Sequence, residues 1–416
     1  EHQWRNAHVM KTLLILGAGK EQVAAIAAAR AKSIRTVVLD MNPKADGRAL
    51  ADEFHLVSTR DRQAILKFVN GYAGKIDGVM TIASDIPHMV AAAAKALGVR
   101  HIPPAVAELC VHKLAMKEVL REAGVNVPLF ARISCLDDLM AFVAKAGFPI
   151  VIKPVDNSGA RGVQRLTQGM DIAQALEYSR SFAYGGEVIA EKFITGLQIS
   201  TEGLMHEGVF HCTGFADRNY TRLDDAVPFM VEDGGDIPTV LNARDKQLVE
   251  AEFEKAARAL GIDWGPAKGD MIFGEDGKPY VIEIAARLSG GNFCYDKVPW
   301  STGVDIVDIL VDMAVGNPVD PKRFTPTRNL ATSQRYFFPA PGRIRTIEGL
   351  AAAQAMAHIR KVDVWAKPGD MIAAAENHPS RVGYVISCAP TREEAVAAAT
   401  AAVANVEFQV ESLVEA

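Results

Sequence analysis

An excess of charge of one sign is the first thing this chain lacks. Its 45 Lys and Arg stand against 50 Asp and Glu, a formal charge of −5, with both signs spread along 416 residues. There is no basic stripe of the kind a polyanion requires, so no nucleic-acid partner is expected. Cysteine is scarce. Cys110, Cys135, Cys212, Cys294 and Cys388 are widely separated, odd in number and form no C-x-x-C, which excludes a disulfide framework and points to a reducing compartment. Long apolar runs are missing too. The Ala-rich stretches near Ala91 and Ala395 are short and interrupted or flanked by charge, so no membrane span is expected and the location read from the sequence is cytoplasmic. The opening EHQWRNAHV has no apolar signal-peptide core, and Met10 immediately precedes a strand. Residues 1–9 therefore read as a tag remnant or an upstream leader.

What is present is an ordinary globular composition, 49% apolar and 23% charged, in a chain long enough for about two to four domains. From Met10, KTLLILGAGKEQVAAIAAARAKSIRTVVLD reads strand, Gly turn, helix, strand, the start of a doubly wound α/β unit. GAGKEQ lacks the third glycine of a dinucleotide fingerprint, since Gln22 stands there. Further βα units follow through GKIDGVMTIASD and MVAAAAKALGV, with a last short strand at VRHIPP. Ser84 and Asp85 fall at a strand's C-terminal end, where open α/β sheets place ligand contacts; Asp85 is equally an N-cap before Pro87.

The stretch Phe148 to Glu191 carries the first chemistry. In the strand FPIVIKP, Ile150 and Ile152 share one face and leave Val151 and Lys153 on the other. The next residues include Asn157, Ser158, Gly159 and Gly162, small enough to bring backbone N–H groups close to an anion. Lys153 with this loop reads as a phosphate clamp. Glu191 ends the second apolar run EVIAEKFI, where its carboxylate can accept from an adenine amino group while the following backbone completes the contact. Before this unit, residues 108–123 read as one amphipathic helix with Leu109, Leu114, Met116, Val119 and Leu120 on its apolar side. Taken alone, Lys113 is compatible with a solvated face.

A second centre lies further on. A helix from about Arg244 to Leu260 precedes two strands joined at GEDGKP, a hairpin that lets Asp270 and Glu283 face one cavity. Two hard carboxylates beside a triphosphate suit magnesium, with manganese as the alternative. Arg287, four residues on, is placed to stabilise a transferring phosphoryl group. Arg218 and Tyr220 belong to a polar cluster that reads either as substrate recognition or as a simple loop, and Glu202 as an exposed strand residue. His206 and His211 lack a third partner at metal-ligand spacing. Pro318, Pro321 and Pro326 mark a boundary.

Six ordered features together resemble the ATP-grasp superfamily: Lys113 in VHKLAMKEVLREAGVNVP, Lys153 with its loop, the hinge Glu191-Lys192-Phe193-Ile194, Asp270, and Glu283 with Arg287 in VIEIAARLSGG. The resemblance is to carboxylate–amine ligases of the L-amino acid ligase and biotin carboxylase branch. It implies an N-terminal α/β domain over 10–107, an ATP-grasp domain over 108–325 with a mobile lid at about 126–190, and a C-terminal α+β domain over 326–416 in which no chemistry is identified. It implies ATP contacts from Lys113, Lys153, Ser158, Gly159, Gly162, Glu191, Lys192, Phe193, Ile194 and Gln198, metal ligation by Asp270 and Glu283, catalysis by Arg287, and substrate contacts from Asp85, Arg218, Tyr220, Ser289 and Gly290. Three departures stand out. Gln198 replaces a glutamate that bonds the ribose, Ala285 replaces an asparagine beside the metal glutamate, and Lys268 replaces a histidine of several dipeptide-forming relatives.

The implied activity is ATP-dependent joining of a small-molecule carboxylate, an amino acid among the candidates, to an amine through an acyl phosphate, releasing ADP and phosphate. Relatives are often dimers, so a homodimer is expected. Two alternatives stay open. One is a bicarbonate-activating enzyme, although the extended biotin carboxylase signature is absent. The other is a non-catalytic nucleotide-binding module, against which the retention of Asp270, Glu283 and Arg287 speaks.

Overall fold

The computed structural model describes residues 10–412; the leading segment 1–9 and its reading as a tag or leader lie outside them. The N-terminal strands β1 (Thr12–Leu16), β2 (Arg35–Asp40), β3 (Glu53–Leu56) and β4 (Gly78–Met80) form a parallel sheet in the order β3-β2-β1-β4. Strand β1 is TLLIL and buried throughout, as a central parallel strand covered on both faces must be. Helix α1 (Val23–Ala31) packs on one face, and α2 (Arg62–Gly71) and α3 (Pro87–Leu97) on the other. Gln22 occupies the turn after β1: its side-chain oxygen accepts from the Ile82 N–H at 3.0 Å, its amide donates to the Ile82 carbonyl, and a side chain on Gly17 would meet it at 3.2 Å.

The short strand expected at VRHIPP does not form. Pro103 and Pro104 have no N–H to offer a ladder. The single helix expected over 108–123 is two, α4 (Pro104–Leu109) and α5 (Lys113–Glu122). His112 adopts extended backbone and its ring accepts from the Ala115 N–H at 3.2 Å, an N-cap that restarts the helix and puts Lys113 at its first position.

Next comes a small antiparallel sheet of β5 (Phe130–Ile133), β6 (Ile150–Pro154), β7 (Gln164–Leu166) and β8 (Val188–Lys192), in the order β5-β8-β6-β7, backed by α6 (Leu136–Ala146) and α7 (Ile172–Ser181). Ile150, Ile152, Leu166, Val188 and Ala190 pack against Leu139, Phe142 and Leu176. The period of two then sends Val151, Lys153 and Glu191 to the opposite face.

The remaining strands of the central body are β9 (Gly196–His206), β10 (Val209–Asn219), β11 (Gly234–Ile237), β12 (Gly265–Gly274), β13 (Pro279–Ala285) and β14 (Ala331–Tyr336). They are followed by β15 (Gly342–Glu348), β16 (Ile359–Val364), β17 (Met371–Ile372), β18 (Gly383–Ala389) and β19 (Glu407–Glu411). One eight-stranded sheet runs β13-β12-β9-β10-β11-β14-β18-β16, and β17-β15-β19 form a separate three-stranded sheet. Helix α8 (Ala243–Ala259), capped by Asn242, presses Val249, Phe253, Ala256 and Ala257 onto it. Gly269 permits the close approach, because a Cβ there would come within 2.9 Å of the Phe253 ring; Phe253→Ala would cost about 3–5 kcal/mol. Where β11 meets β14, Asp236 accepts from Ser333 at 2.6 Å and Arg335 at 2.8 Å, and Arg392 pairs with Asp217 at 3.0 Å and with Asp236 at 3.3 Å. Among the described residues no helix is long and apolar enough to cross a membrane.

Candidate active site

A cavity of about 620 Å³ is lined by residues of the lid sheet, the eight-stranded sheet and the loops at the C-terminal ends of β1 and β4, a volume suited to a small-molecule site. All but one of the residues to which the resemblance gives ATP, metal, catalytic or substrate contacts line it. The exception is Gly162, which is buried between Phe182 and Pro154: a Cβ there would lie 2.8 Å and 2.9 Å from their side chains. With φ of +72°, Gly162 shapes the loop through conformation and close packing and does not face the cavity.

On the side of the Gly-rich loop, Lys113 donates to the Asn157 carbonyl at 2.7 Å and lies 3.3 Å from Glu283 Oε1. It thereby ties α5, the Gly-rich loop and β13 together. Lys153 Nζ is 2.9 Å from Glu191 Oε1, and the fully buried Lys117 is 3.1 Å from Glu191 Oε2. Burial pushes the Glu191 pKa up, but Lys117 and Lys153 outweigh it and hold the carboxylate below its ordinary range. Ser158 and Gly159 line the cavity from the loop. In the hinge, Phe193 and Ile194 line it while the Lys192 ammonium turns away and donates to the Gly147 and Phe148 carbonyls, 3.1 Å each. Gln198 lies at the same rim.

On the eight-stranded sheet, Asp270 on β12 and Glu283 on β13 are direct cross-strand partners, so their side chains share a face. Asp270 is 2.6 Å from Lys268 and 3.0 Å from Arg218; against the cost of burial, Arg218 and Lys268 hold its pKa far below the usual carboxylate range. Among the described residues no group of three His, Cys, Asp or Glu side chains is arranged for a metal. Two hard carboxylates already balanced by cations fit a magnesium ion that arrives with phosphate oxygens and water, as that ion prefers. Arg287 donates from Nε to Asp85 Oδ1 at 2.5 Å. Burial raises the Asp85 pKa, yet Arg287 brings it down to about 2. Asp85 thus orients the arginine across the boundary between the N-terminal and central sheets. Arg218 also lies 2.7 Å from Glu232 and stacks over Tyr220 at 5.4 Å. Ser289 and Gly290 form the floor, where Gly290 is needed because a Cβ would sit 2.9 Å from that of Ala83.

Two expectations require correction. Glu202 is not an exposed strand residue. It is fully buried, because the segment around Ser289 packs on its face of β9, and it accepts from the Ser289 N–H at 3.0 Å with its other oxygen unpartnered. Burial pushes its pKa up to about 7, against the pull of Ser289, Lys268 and Arg287. Nor is the C-terminal region without a part in the site: Gln334, Tyr336, His378, Pro379 and Arg381 all line the cavity. Its loop also touches the lid, with the His378 N–H donating to the Gly159 carbonyl at 3.0 Å and Tyr178 donating to Glu376 at 2.8 Å. Sequence reasoning also missed Glu21, Glu232 and Lys297 on the cavity wall, and Lys117 beneath it. For Lys117 a signal existed: Leu114, Lys117 and Leu120 follow helical spacing on the buried stripe of α5. His206 and His211 lie elsewhere, against Phe324, on which His211 stacks at 3.8 Å.

Comparison with known proteins agrees with this geometry. Residues 110–291 match the ATP-grasp domain family and residues 335–411 the family described as L-amino acid ligase C-terminal domain 2. The crystal structure of L-amino acid ligase from Bacillus licheniformis superimposes with a TM-score of 0.82 at 22% identity, covering 97% of this chain and 99% of that one. A Sinorhizobium fredii protein named only as uncharacterized y4rH is 27% identical over 74% of this chain and 63% of its own length. The D-alanine–D-alanine ligase of Aromatoleum aromaticum is 29% identical over 50% of this chain and 68% of its own. The chain thus spans less than two thirds of the first of these curated relatives and little more of the second.

Proposed function

We propose, from the premise that this chain belongs to the ATP-grasp family of carboxylate–amine ligases, that it joins a small-molecule carboxylate to an amine through an acyl phosphate and releases ADP and phosphate. The observation that carries this reading is the convergence of Lys113, Lys153 and Arg287 on the cavity that Asp270 and Glu283 also line. A site that only stored a nucleotide would need no arginine beside paired acids; a site that transfers a phosphoryl group needs positive charge where negative charge develops.

The residues divide the work as follows. Lys153 and the Gly-rich loop hold the phosphates from the lid side, Lys113 couples that loop to Glu283, and the hinge 191–194 receives the base. ATP supplies the phosphoryl group, and Asp270 and Glu283 would hold a magnesium ion that, when bound, screens its charge. A carboxylate oxygen of the substrate attacks the terminal phosphorus as ADP leaves. The amine nitrogen then attacks the acyl carbon, phosphate departs and the amine loses a proton. Arg287, steadied by Asp85, stands where the charge on the transferred group is greatest. The latched lid excludes water from the acyl phosphate, which would otherwise hydrolyse. That one substrate is an amino acid is supported by the match of residues 335–411 to the L-amino acid ligase domain.

The test is ATP-dependent phosphate release across a panel of acids and amines, with hydroxylamine present to capture the intermediate as a hydroxamate. The expected result is release of ADP that depends on an organic acid and persists in bicarbonate-depleted buffer. Strict bicarbonate dependence would transfer the assignment to a carboxylating enzyme. AMP with pyrophosphate would reject the acyl phosphate.

A further inference from the structure

The cavity wall farthest along the sheet from the β12–β13 hairpin holds a group of donors that neither the nucleotide nor the transfer step uses. Arg218, Gly235 and Gln334 are direct partners across β10, β11 and β14, so they form a row on one face. Arg218 is committed to Glu232 and Asp270. Gln334 is 1% exposed, and its amide nitrogen has no hydrogen-bond partner. Between them Gly235 leaves a gap, and above that gap, 3.4 Å from where a Cβ would stand, is the ammonium of Lys297.

Lys297 is 5% exposed and closes a one-turn π-helix, Phe293–Lys297, an irregularity that recurs at functional sites. Its ammonium rests over the Phe293 ring at 5.4 Å and makes no hydrogen bond or ion pair among the described residues. The nearest acids are occupied, Glu232 by Arg218 and Asp236 by Arg335. Burial lowers the Lys297 pKa to about 8, with Glu232 and Asp236 opposing the fall and Arg335 and Arg381 adding to it. A cation without a protein acceptor and a buried, unsatisfied amide N–H, both at the wall of one cavity, are costly unless an acceptor joins them.

We infer that Lys297 and Gln334, across the gap left by Gly235, form a subsite for a substrate carboxylate that is not consumed in the reaction. This rests on the ligase reading and narrows it: one substrate carries an anionic group besides the one that reacts, as an amino acid acceptor does. Two donors match the two oxygens of a carboxylate, whereas a phosphate group would call for a richer set of guanidinium and backbone donors.

The test is thermal unfolding of the full chain with acetate, malonate or a mixture of free L-amino acids, each against chloride at equal ionic strength, and separately with inorganic phosphate and with a non-hydrolysable ATP analogue. Ligand that binds only the folded state raises Tm. At least one carboxylate probe should raise the wild-type Tm, and Lys297→Met and Gln334→Leu should each abolish that rise while keeping the rise produced by the ATP analogue. Lys297→Met should melt higher than wild type in chloride alone, because an unpaired buried charge has been removed. A carboxylate effect that survives in both variants, no carboxylate effect in wild type, or stabilisation by phosphate alone would each overturn the subsite. Failure of the ATP analogue to stabilise any of the three proteins would instead count against the ligase reading.

Discussion

Lys117 Nζ lies 3.1 Å from Glu191 Oε2, in a pair with side-chain exposures of 0% and 3%. The lysine pKa is lowered to about 8, by burial first, with Glu191 pulling it back up. Replacing one member of such a pair leaves the other charge buried and short of a partner, which costs about 3–5 kcal/mol. Lys117→Met should therefore lower unfolding stability in urea by that order, and adding Glu191→Gln should restore part of it. A single mutant within about 1 kcal/mol of wild type would show that Lys153 alone balances Glu191.

Lys153 faces the cavity from the same carboxylate. Lys153→Met, like Lys117→Met, leaves Glu191 with one lysine and should cost stability of a similar order, but it also removes the proposed phosphate contact. Calorimetry with a non-hydrolysable ATP analogue should show roughly tenfold weaker binding or worse, the ~1.4 kcal/mol of one charge-assisted contact. Unchanged affinity in the folded variant would remove Lys153 from the nucleotide site.

On the function proposed above, Glu283 acts in the transfer step, not in base recognition. Glu283→Gln keeps the shape and removes the charge, so turnover should fall by about 10² or more while ADP binding without magnesium remains. Near-normal turnover at saturating magnesium would dismiss it as a metal ligand.

Glu202 gives a pH signature. Its folded pKa of about 7 stands above its unfolded value, so the folded state holds the proton more tightly. Its stabilising contribution is present below the unfolded pKa and is lost as pH rises to about 7, then stays level. Glu202→Gln should thus match wild type near pH 4 and exceed it at pH 8, by an amount on the order of 3 kcal/mol. Parallel stability curves across that range would mean that the buried carboxyl titrates as it does in the unfolded chain.

The sequence made some of these residues legible and concealed others for identifiable reasons. Lys153 and Glu283 could be read because each interrupts a buried strand at a known phase, and the GEDGKP turn fixed the pairing of Asp270 with Glu283. Gly162 was misread because a glycine that faces a ligand and one that packs under Pro154 look alike in a chain. Glu202 was misread because its strand alternates plausibly for a half-exposed sheet, and only the distant segment around Ser289 covers its face. Gln334, His378 and Arg381 lay beyond local reasoning: they reach the cavity because β14 pairs with β11 across almost a hundred residues of chain.

That pairing also determines how the molecule can be divided. A chain ending near the prolines at 318–326 would keep every motif discussed above, but β11 would become a raw edge with four residues of unpaired backbone, a template for sticking to other chains. Asp236 would lose Ser333, Arg335 and Arg392, and Asp217 would lose Arg392, stranding two inward-pointing acids. The proline-rich stretch is a place where the sequence changes character, while the hydrogen-bonded sheet beneath it is a weld. Shuffling the last ninety or so residues among relatives would have to exchange both sides of that weld together, so the two regions are heritable as one piece.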